Sequence, residues 1–407
     1  MSEPVMFASH ALRCPTFSAA EARALVADHY GFPPAALKPL ASFQDQNFRV
    51  TDAAGRQFVL KIANAHETRA TLDLQNQAMA HVAARAPDFP TPRVVPARDG
   101  AGLIPAEHAG ERHWVRLLSY LPGQTLVDTP YLSPGWLDEI GATVGRLTAH
   151  LADFTHPAAD RVLQWDLRQA KNVVTAFLPY VADRGRRALV ERGLAEFEAA
   201  AEPRLAELRQ SVIHGDLVDY NLLVGRGPAG QQVVSGLIDF GDTVRSYTIG
   251  ELAVLLATIM AHAPAAPVAA AARVVAAYHA AFPLTETELA VLFPLIVLRV
   301  CATTTSAAQQ AALEPENAYV QAFAAAEWPA LELLAGLSPV LAQAAFRHAC
   351  GLEPHPRRAA VEAWLRAHGS EFGRPLNREL PAGEVTVLDF SVSSEELPAG
   401  SWEQRGA

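Results

Sequence analysis

Residues 211–224 read SVIHGDLVDYNLLV, and residues 233–242 read VVSGLIDFGD. In the first stretch an apolar strand delivers a His214-Gly215-Asp216 turn. Asn221 follows Asp216 by five residues and leads into a second apolar strand. In the second stretch an apolar strand ends in Asp239-Phe240-Gly241, 18 residues after Asn221. Phosphoryl transfer needs a carboxylate beside the attacking hydroxyl and oxygen ligands for Mg²⁺, and short loops at strand ends hold such groups rigidly. Taken singly, each motif also reads as a polar turn or a strand-ending Asx turn. Their order and short separation, each after a strand, favour the chemical reading.

Working outward, the strand QFVLKIA (57–63) embeds Lys61 between apolar neighbours. A buried ammonium is costly unless it reaches water or an anion, so Lys61 either faces solvent or reaches nucleotide phosphates. Ser18 with Glu21 predicts a capping box on a helix over 19–30. Strands are predicted within 37–50 and at 94–96 and 113–120, with an Ala-rich helix over 69–84. The loop SFQDQN (42–47) has no glycine. Ser42, Asn47 and their backbone N–H groups either contact phosphates or form an ordinary hairpin loop. The strand VRLLSYLPG (115–123) ends in Pro-Gly, where an interlobe connector is expected. There the main chains of Ser119 and Leu121 are placed to read a base edge.

After Pro122-Gly123 the chain turns helical, with helices expected over 137–151, 167–180, 186–208, 250–263, 267–281, 285–306 and 316–334. The expected fold is α+β and bilobal, protein-kinase-like, with a small antiparallel-sheet N-lobe and a larger, mainly helical C-lobe. The expected divisions are a flexible leader (1–17), a nucleotide-binding lobe (18–121), a catalytic and substrate-binding lobe (122–350) and a C-terminal extension or linker (351–407). Within that extension a short helix is expected over 359–368 and a strand over 384–392.

The 407 residues suit more than one lobe, and half are apolar. The formal net charge of −10 lacks the basic field that favours nucleic acid or anionic membrane. Three scattered cysteines, no basic-then-apolar leader and no recognisable zinc spacing suit a reducing cytoplasm. The apolar region 252–274 is broken by His262, Pro264 and Pro267, and no stretch is expected to span a bilayer.

HGDLVDYN and GLIDFGD resemble the aminoglycoside phosphotransferase/choline kinase superfamily, over about residues 15–350. SFQDQNFRV, FVLKIAN, the LQNQ helix, VRLLSYLPG and Trp165-Asp166-Leu167 look most like the hydroxylysine kinase group. The resemblance implies that Asp216 is the catalytic base, that Asn221 and Asp239 hold Mg²⁺, and that Lys61 pairs with the phosphates of ATP or GTP. The family often fixes that lysine with a helix Glu. Gln75 stands at the matching position, and an amide brings a hydrogen bond without countercharge. Asp242 is open to a metal-supporting or a structural role. The segment from His348 onward resembles the join in larger fusion proteins that continue into metallopeptidase-like and class III aminotransferase-like modules, which implies that this chain is one part of such a protein.

The acceptor implied is a hydroxyl on a small amine-bearing metabolite, hydroxylysine or an amino alcohol. Asp166, Asp219 and Glu251 are candidates for its ammonium. Arg299, a charge in the apolar helix PLIVLRVCATTTS, is a candidate for a carboxylate or forms a buried ion pair. Aminoglycoside or choline/ethanolamine kinase activity is the nearest alternative, although residues 250–350 carry few acids. A nucleotide-binding pseudokinase is the alternative of another class, and the presence of Lys61, Asp216, Asn221 and Asp239 argues against it.

Overall fold

The computed structural model describes residues 14–42 and 44–368. The predicted strand over 384–392 lies outside them, as do most of the predicted leader and most of the extension. Helix α1 (Ala19–Tyr30) opens on the Ser18–Glu21 capping box and closes on Gly31 at φ 85°. Strands β1 (Ala36–Leu40), β2 (Gln46–Thr51) and β3 (Gln57–Ile62) follow, then helix α2 (Arg69–Arg85) and strands β4 (Val94–Val95), β5 (Ile104–His108) and β6 (Glu111–Ser119). They form one antiparallel sheet in the order β1-β2-β3-β6-β4, with β5 also on β6. Strand alternation sends Phe48, Val50, Leu60, Ile62, Val115 and Leu117 to one face, where they share a core with Ala22 and Val26 of α1. Phe17 is buried there too, stacked on His108, so the fold begins inside the stretch read as leader.

The larger lobe contains β7 (Gln124–Thr125), α3 (Pro134–Leu151), α4 (Ala170–Phe177), α5 (Arg184–Ala200), β8 (Gln210–Ile213), β9 (Leu222–Arg226), β10 (Gln232–Leu237) and β11 (Val244–Tyr247). Then come α6 (Ile249–His262), α7 (Pro267–Ala281), α8 (Glu286–Leu313), α9 (Ala318–Ala326), α10 (Trp328–Ala335), α11 (Pro339–Ala349) and α12 (Arg358–His368). Strands β10-β9-β7 make a small sheet, and β11 pairs with β8. These short strands carry the two motifs between the lobes. The single helix expected over 316–334 is two. Pro329 cannot donate to the preceding turn and sits in the first turn of α10, where its missing N–H costs nothing. The helix expected over 186–208 likewise stops at Ala200, and a 3₁₀ segment with Pro203 in its first turn follows.

One helix has the length and hydropathy of a membrane span, which no stretch was expected to have. Helix α8 is long and apolar enough to cross a membrane, yet 89% of its most apolar window is buried inside the protein. Helices α4, α5, α6, α9, α10 and α11 all pack on it. It is the axis of the larger core. The large-lobe core extends into α2 through Leu74, Ala78, Met79 and Val82, so α2 ties the small sheet to the helical lobe.

Candidate active site

Strand β8 ends in His214-Gly215-Asp216. Gly215 adopts φ +83°, and a Cβ there would lie 2.8 Å from the Asp242 carbonyl oxygen. Glycine thus lets the two motif loops touch. His214 is fully buried. Its Nε2 lies 3.0 Å from the Ile238 carbonyl, and its Nδ1 accepts from the Asp216 N–H at 3.3 Å. Those two bonds define a neutral imidazole, and burial pushes its pKa down to about 4. Beneath the turn, the carboxylate of Glu251 on α6 accepts the N–H groups of His214 (2.6 Å) and Gly215 (3.3 Å).

Asp216 is gripped through both oxygens. Asn221 Nδ2 donates to Oδ2 at 2.9 Å and Arg299 Nη2 to Oδ1 at 3.3 Å. Its side chain keeps 26% exposure. Burial raises its pKa first, the nearby Asp242 carboxylate raises it further, and Arg299 opposes both. With its amide nitrogen committed to Asp216, Asn221 keeps Oδ1 for another partner.

Asp239 sits in the left-handed region at φ 63°, a strained position for a non-glycine residue. Lys61 Nζ donates to its two oxygens at 3.2 and 3.3 Å. The Lys61 charge outweighs burial and pulls the Asp239 pKa down to about 2. Lys61 itself is buried, whereas the Asp239 side chain is 44% exposed. A second carboxylate, Asp45 in the loop before β2, stands 3.8 Å from the same ammonium. Among the described residues no cluster of three or more His, Cys, Asp or Glu forms a metal site. An exposed carboxylate and one amide oxygen fit Mg²⁺, which takes few protein oxygens and completes its shell with water and phosphate.

The other expected contacts divide. Gln75 does not hold Lys61. Its Oε1 accepts from Arg116 Nη2, and its Nε2 donates to the Gly241 carbonyl at 3.4 Å. Arg161 donates to the same carbonyl and, at 3.1 Å, to that of Thr243. The Ser119 N–H is already bonded to the Arg93 carbonyl at 2.8 Å, so it is not free to read a base. Ser42 is exposed, and the Oδ1 of Asn47 is buried without a partner.

Asp166 and Glu251 are not free to meet an acceptor ammonium. Asp166 is buried and accepts from Arg168 Nε at 2.8 Å, from the Arg168 N–H and from Ser246 Oγ. Glu251 braces the turn as described. Asp219 remains, a quarter exposed and 3.1 Å from His262 Nε2. Arg299 forms the buried ion pair weighed above. It also donates to the Trp165 carbonyl at 3.0 Å and lies over the Trp165 ring at 5.3 Å. Glu327, between α9 and α10, was missed by sequence reasoning. Burial raises its pKa, the nearby Asp219 raises it further, and Arg299 lowers it. Its only signal was an acid placed just before a helix-breaking Pro329.

The model described as "Phosphotransferase enzyme family" matches residues 36–288. Hydroxylysine kinase of Mus musculus is 30% identical over 356 residues, covering 82% of this chain and 93% of that protein. A homoserine kinase of Cupriavidus taiwanensis is 30% identical over 271 residues, covering 62% of this chain and 74% of that protein. Among solved structures, amicoumacin kinase hAmiN in complex with AMP-PNP, Ca²⁺ and Ami superposes with a TM-score of 0.60 at 17% identity, covering 78% of this chain and 93% of that one. A microcompartment-associated aminopropanol kinase superposes with a TM-score of 0.56 at 19% identity, covering 82% and 99%. At such identities the structural likeness speaks for the fold.

Proposed function

The chain belongs to the phosphotransferase enzyme family, and from that premise we propose a Mg²⁺-dependent kinase that moves the terminal phosphate of ATP or GTP to the hydroxyl of a small amine-bearing metabolite. That it is a small-molecule kinase rests on its likeness to the hydroxylysine kinases over 82% and 80% of this chain. The donor, the metal and the acceptor are our reading. One observation carries it: Asp216, tied to Asn221 and Arg299, shares a cleft with Asp239, tied to Lys61.

In this reading Asp216 accepts and orients the acceptor hydroxyl, and its raised proton affinity suits it to receive the hydroxyl proton. Asn221 Oδ1 and Asp239 would hold Mg²⁺, which would supply positive charge against that of the transferring phosphate. Lys61 exchanges its contact with Asp239 for the phosphates. The names of the relatives, hydroxylysine and homoserine kinase, denote acceptors with an ammonium and a carboxylate. Asp219 and Glu327 are the acids nearest for an ammonium, and Arg299, already paired with Asp216, is the cation beside them. We place the enzyme in the cytoplasm, a setting that Cys14, Cys301 and Cys350, all free thiols, suit.

The test is turnover across hydroxylysine, homoserine, ethanolamine, 1-amino-2-propanol and choline, with ATP and GTP in parallel. The expected result is acceptor-dependent release of nucleoside diphosphate, strongest with the zwitterions. Nucleotide binding with no turnover on any acceptor would sink the kinase reading in favour of a binding module.

A further inference from the structure

Strands β2, β3 and β6 carry a polar row across the small sheet. Asn47 pairs with Lys61 across β2 and β3, and Lys61 pairs with Arg116 across β3 and β6. Directly paired residues point to one face, here the face opposite the α1 core. Lys61, in the middle, meets Asp239 and Asp45. Arg116 is 3% exposed, yet no carboxylate contacts it among the described residues. Its Nη1 donates to Asn76 Oδ1 at 2.9 Å and its Nη2 to Gln75 Oε1, both neutral amides of α2. Its Nε is buried with no partner, as is Asn47 Oδ1 on the far side of Lys61. The carboxylates whose fields reach it are Asp45, Asp239 and Glu67.

A desolvated guanidinium is ordinarily matched by a carboxylate in contact, because an unmatched buried charge is strongly destabilising. Here α2 offers the guanidinium two amides instead. Gln75 decides this. A carboxylate at that position would pair with Arg116 directly and offset its charge. The arrangement keeps a guanidinium with no carboxylate in contact, beside the lysine that faces the donor phosphates, with Asp45, Asp239 and Glu67 acting on it only at longer range.

We propose that Arg116 is a second, buried cation of the nucleotide site, which strengthens binding of the donor's triphosphate by its field, and that Gln75 is neutral so that this field persists. The proposal rests on the nucleotide-binding reading given above. Arg116 acts from beside Lys61 and touches no substrate, so it is a positioning residue.

The experiment compares the affinities of ATP, ADP and adenosine, and of the guanine series, by calorimetry in Mg²⁺ buffer. The proteins are the wild type, Arg116→Lys, Arg116→Gln and Gln75→Glu. Loss of one charge acting through the protein interior is expected to weaken triphosphate binding by about tenfold or more while leaving nucleoside binding unchanged. Arg116→Gln and Gln75→Glu should therefore lower the triphosphate-to-nucleoside affinity ratio together, and Arg116→Lys should retain most of it. Gln75→Glu keeps the guanidinium and gives it an ion-pair partner, so it reports on the field even if Arg116→Gln fails to fold. An unchanged ratio in Gln75→Glu would overturn the proposal while leaving the kinase reading intact. A wild type that binds no nucleotide would remove both.

Discussion

The two motif loops lie against each other, but only one of them is also held by the smaller lobe. The Asp216 loop is braced wholly by the larger lobe, through Glu251 on α6 below and Arg299 on α8 beside. The Asp239 loop is held from both lobes, by Lys61 and Gln75 from the smaller and by Arg161 from the larger. Their carboxyl groups respond in opposite directions. Burial and Asp242 raise the Asp216 pKa, whereas Lys61 drives that of Asp239 to about 2. Two aspartates within one cleft thus differ in proton affinity, in the sense that the proposed roles of base and metal ligand require. The second role exists only while the two lobes face each other.

Asp216→Asn breaks the comparison most severely. The amide keeps the shape but cannot take a proton, and its NH2 can accept from neither Asn221 nor Arg299. The expected loss in kcat is about 10²–10⁴-fold, with donor affinity nearly unchanged, as measured by steady-state kinetics beside calorimetry. Lys61→Met attacks the other loop. Without the ammonium the Asp239 pKa rises toward its ordinary value of 3.8, so divalent-ion affinity should fall more at pH 4 than at pH 7. The donor kcat/KM should drop by about tenfold or more. Equal metal affinity at the two pH values would refute the assignment of Lys61 as the group that keeps Asp239 charged.

The smallest effect sharpens the comparison through stability. Burial raises the Glu251 pKa from 4.5 to about 7. The folded protein therefore binds more protons than the unfolded chain between those values, and the Glu251 contribution is lost as pH rises through 7. Glu251→Gln removes this titration. Urea denaturation should show the wild type losing about 3 kcal/mol relative to the variant between pH 4.5 and pH 8. His214 acts in the opposite sense. Its pKa is depressed from 6.5 to about 4, so stability is lost as pH falls through that range. The two nearly cancel between pH 4.5 and 6.5, where the wild type should show little pH dependence from this turn.

Asp216, Asn221, Asp239 and Lys61 were legible because each is pinned to a strand end or a strand centre, where the motif itself defines the direction of the side chain. The contact assigned to Gln75 was not, because it depends on which cation stands across the sheet. Arg116 carries the same signal that singled out Lys61, a charge inside an apolar strand, and cross-strand register then pairs the two. Asp166 and Glu251 show the converse. An acid near a motif looks ready for an ammonium, but the sequence does not say whether backbone and arginine donors already use it. Glu327 needed the break at Pro329, which separates α9 from α10, to reach its place.

The buried course of α8 has a consequence for how this protein is made and trimmed. Helices α4, α5 and α6 precede it in synthesis, whereas α9, α10 and α11 emerge only afterwards. A fragment ending at Leu313 contains Lys61, Asp216, Asn221 and Asp239, yet it leaves one side of an 18-residue apolar window without cover. Such a side seeks lipid, a chaperone or another copy of itself. Truncation toward a minimal catalytic unit is therefore closed at this end, and the last helices are required for solubility although they lie far from the chemistry in sequence.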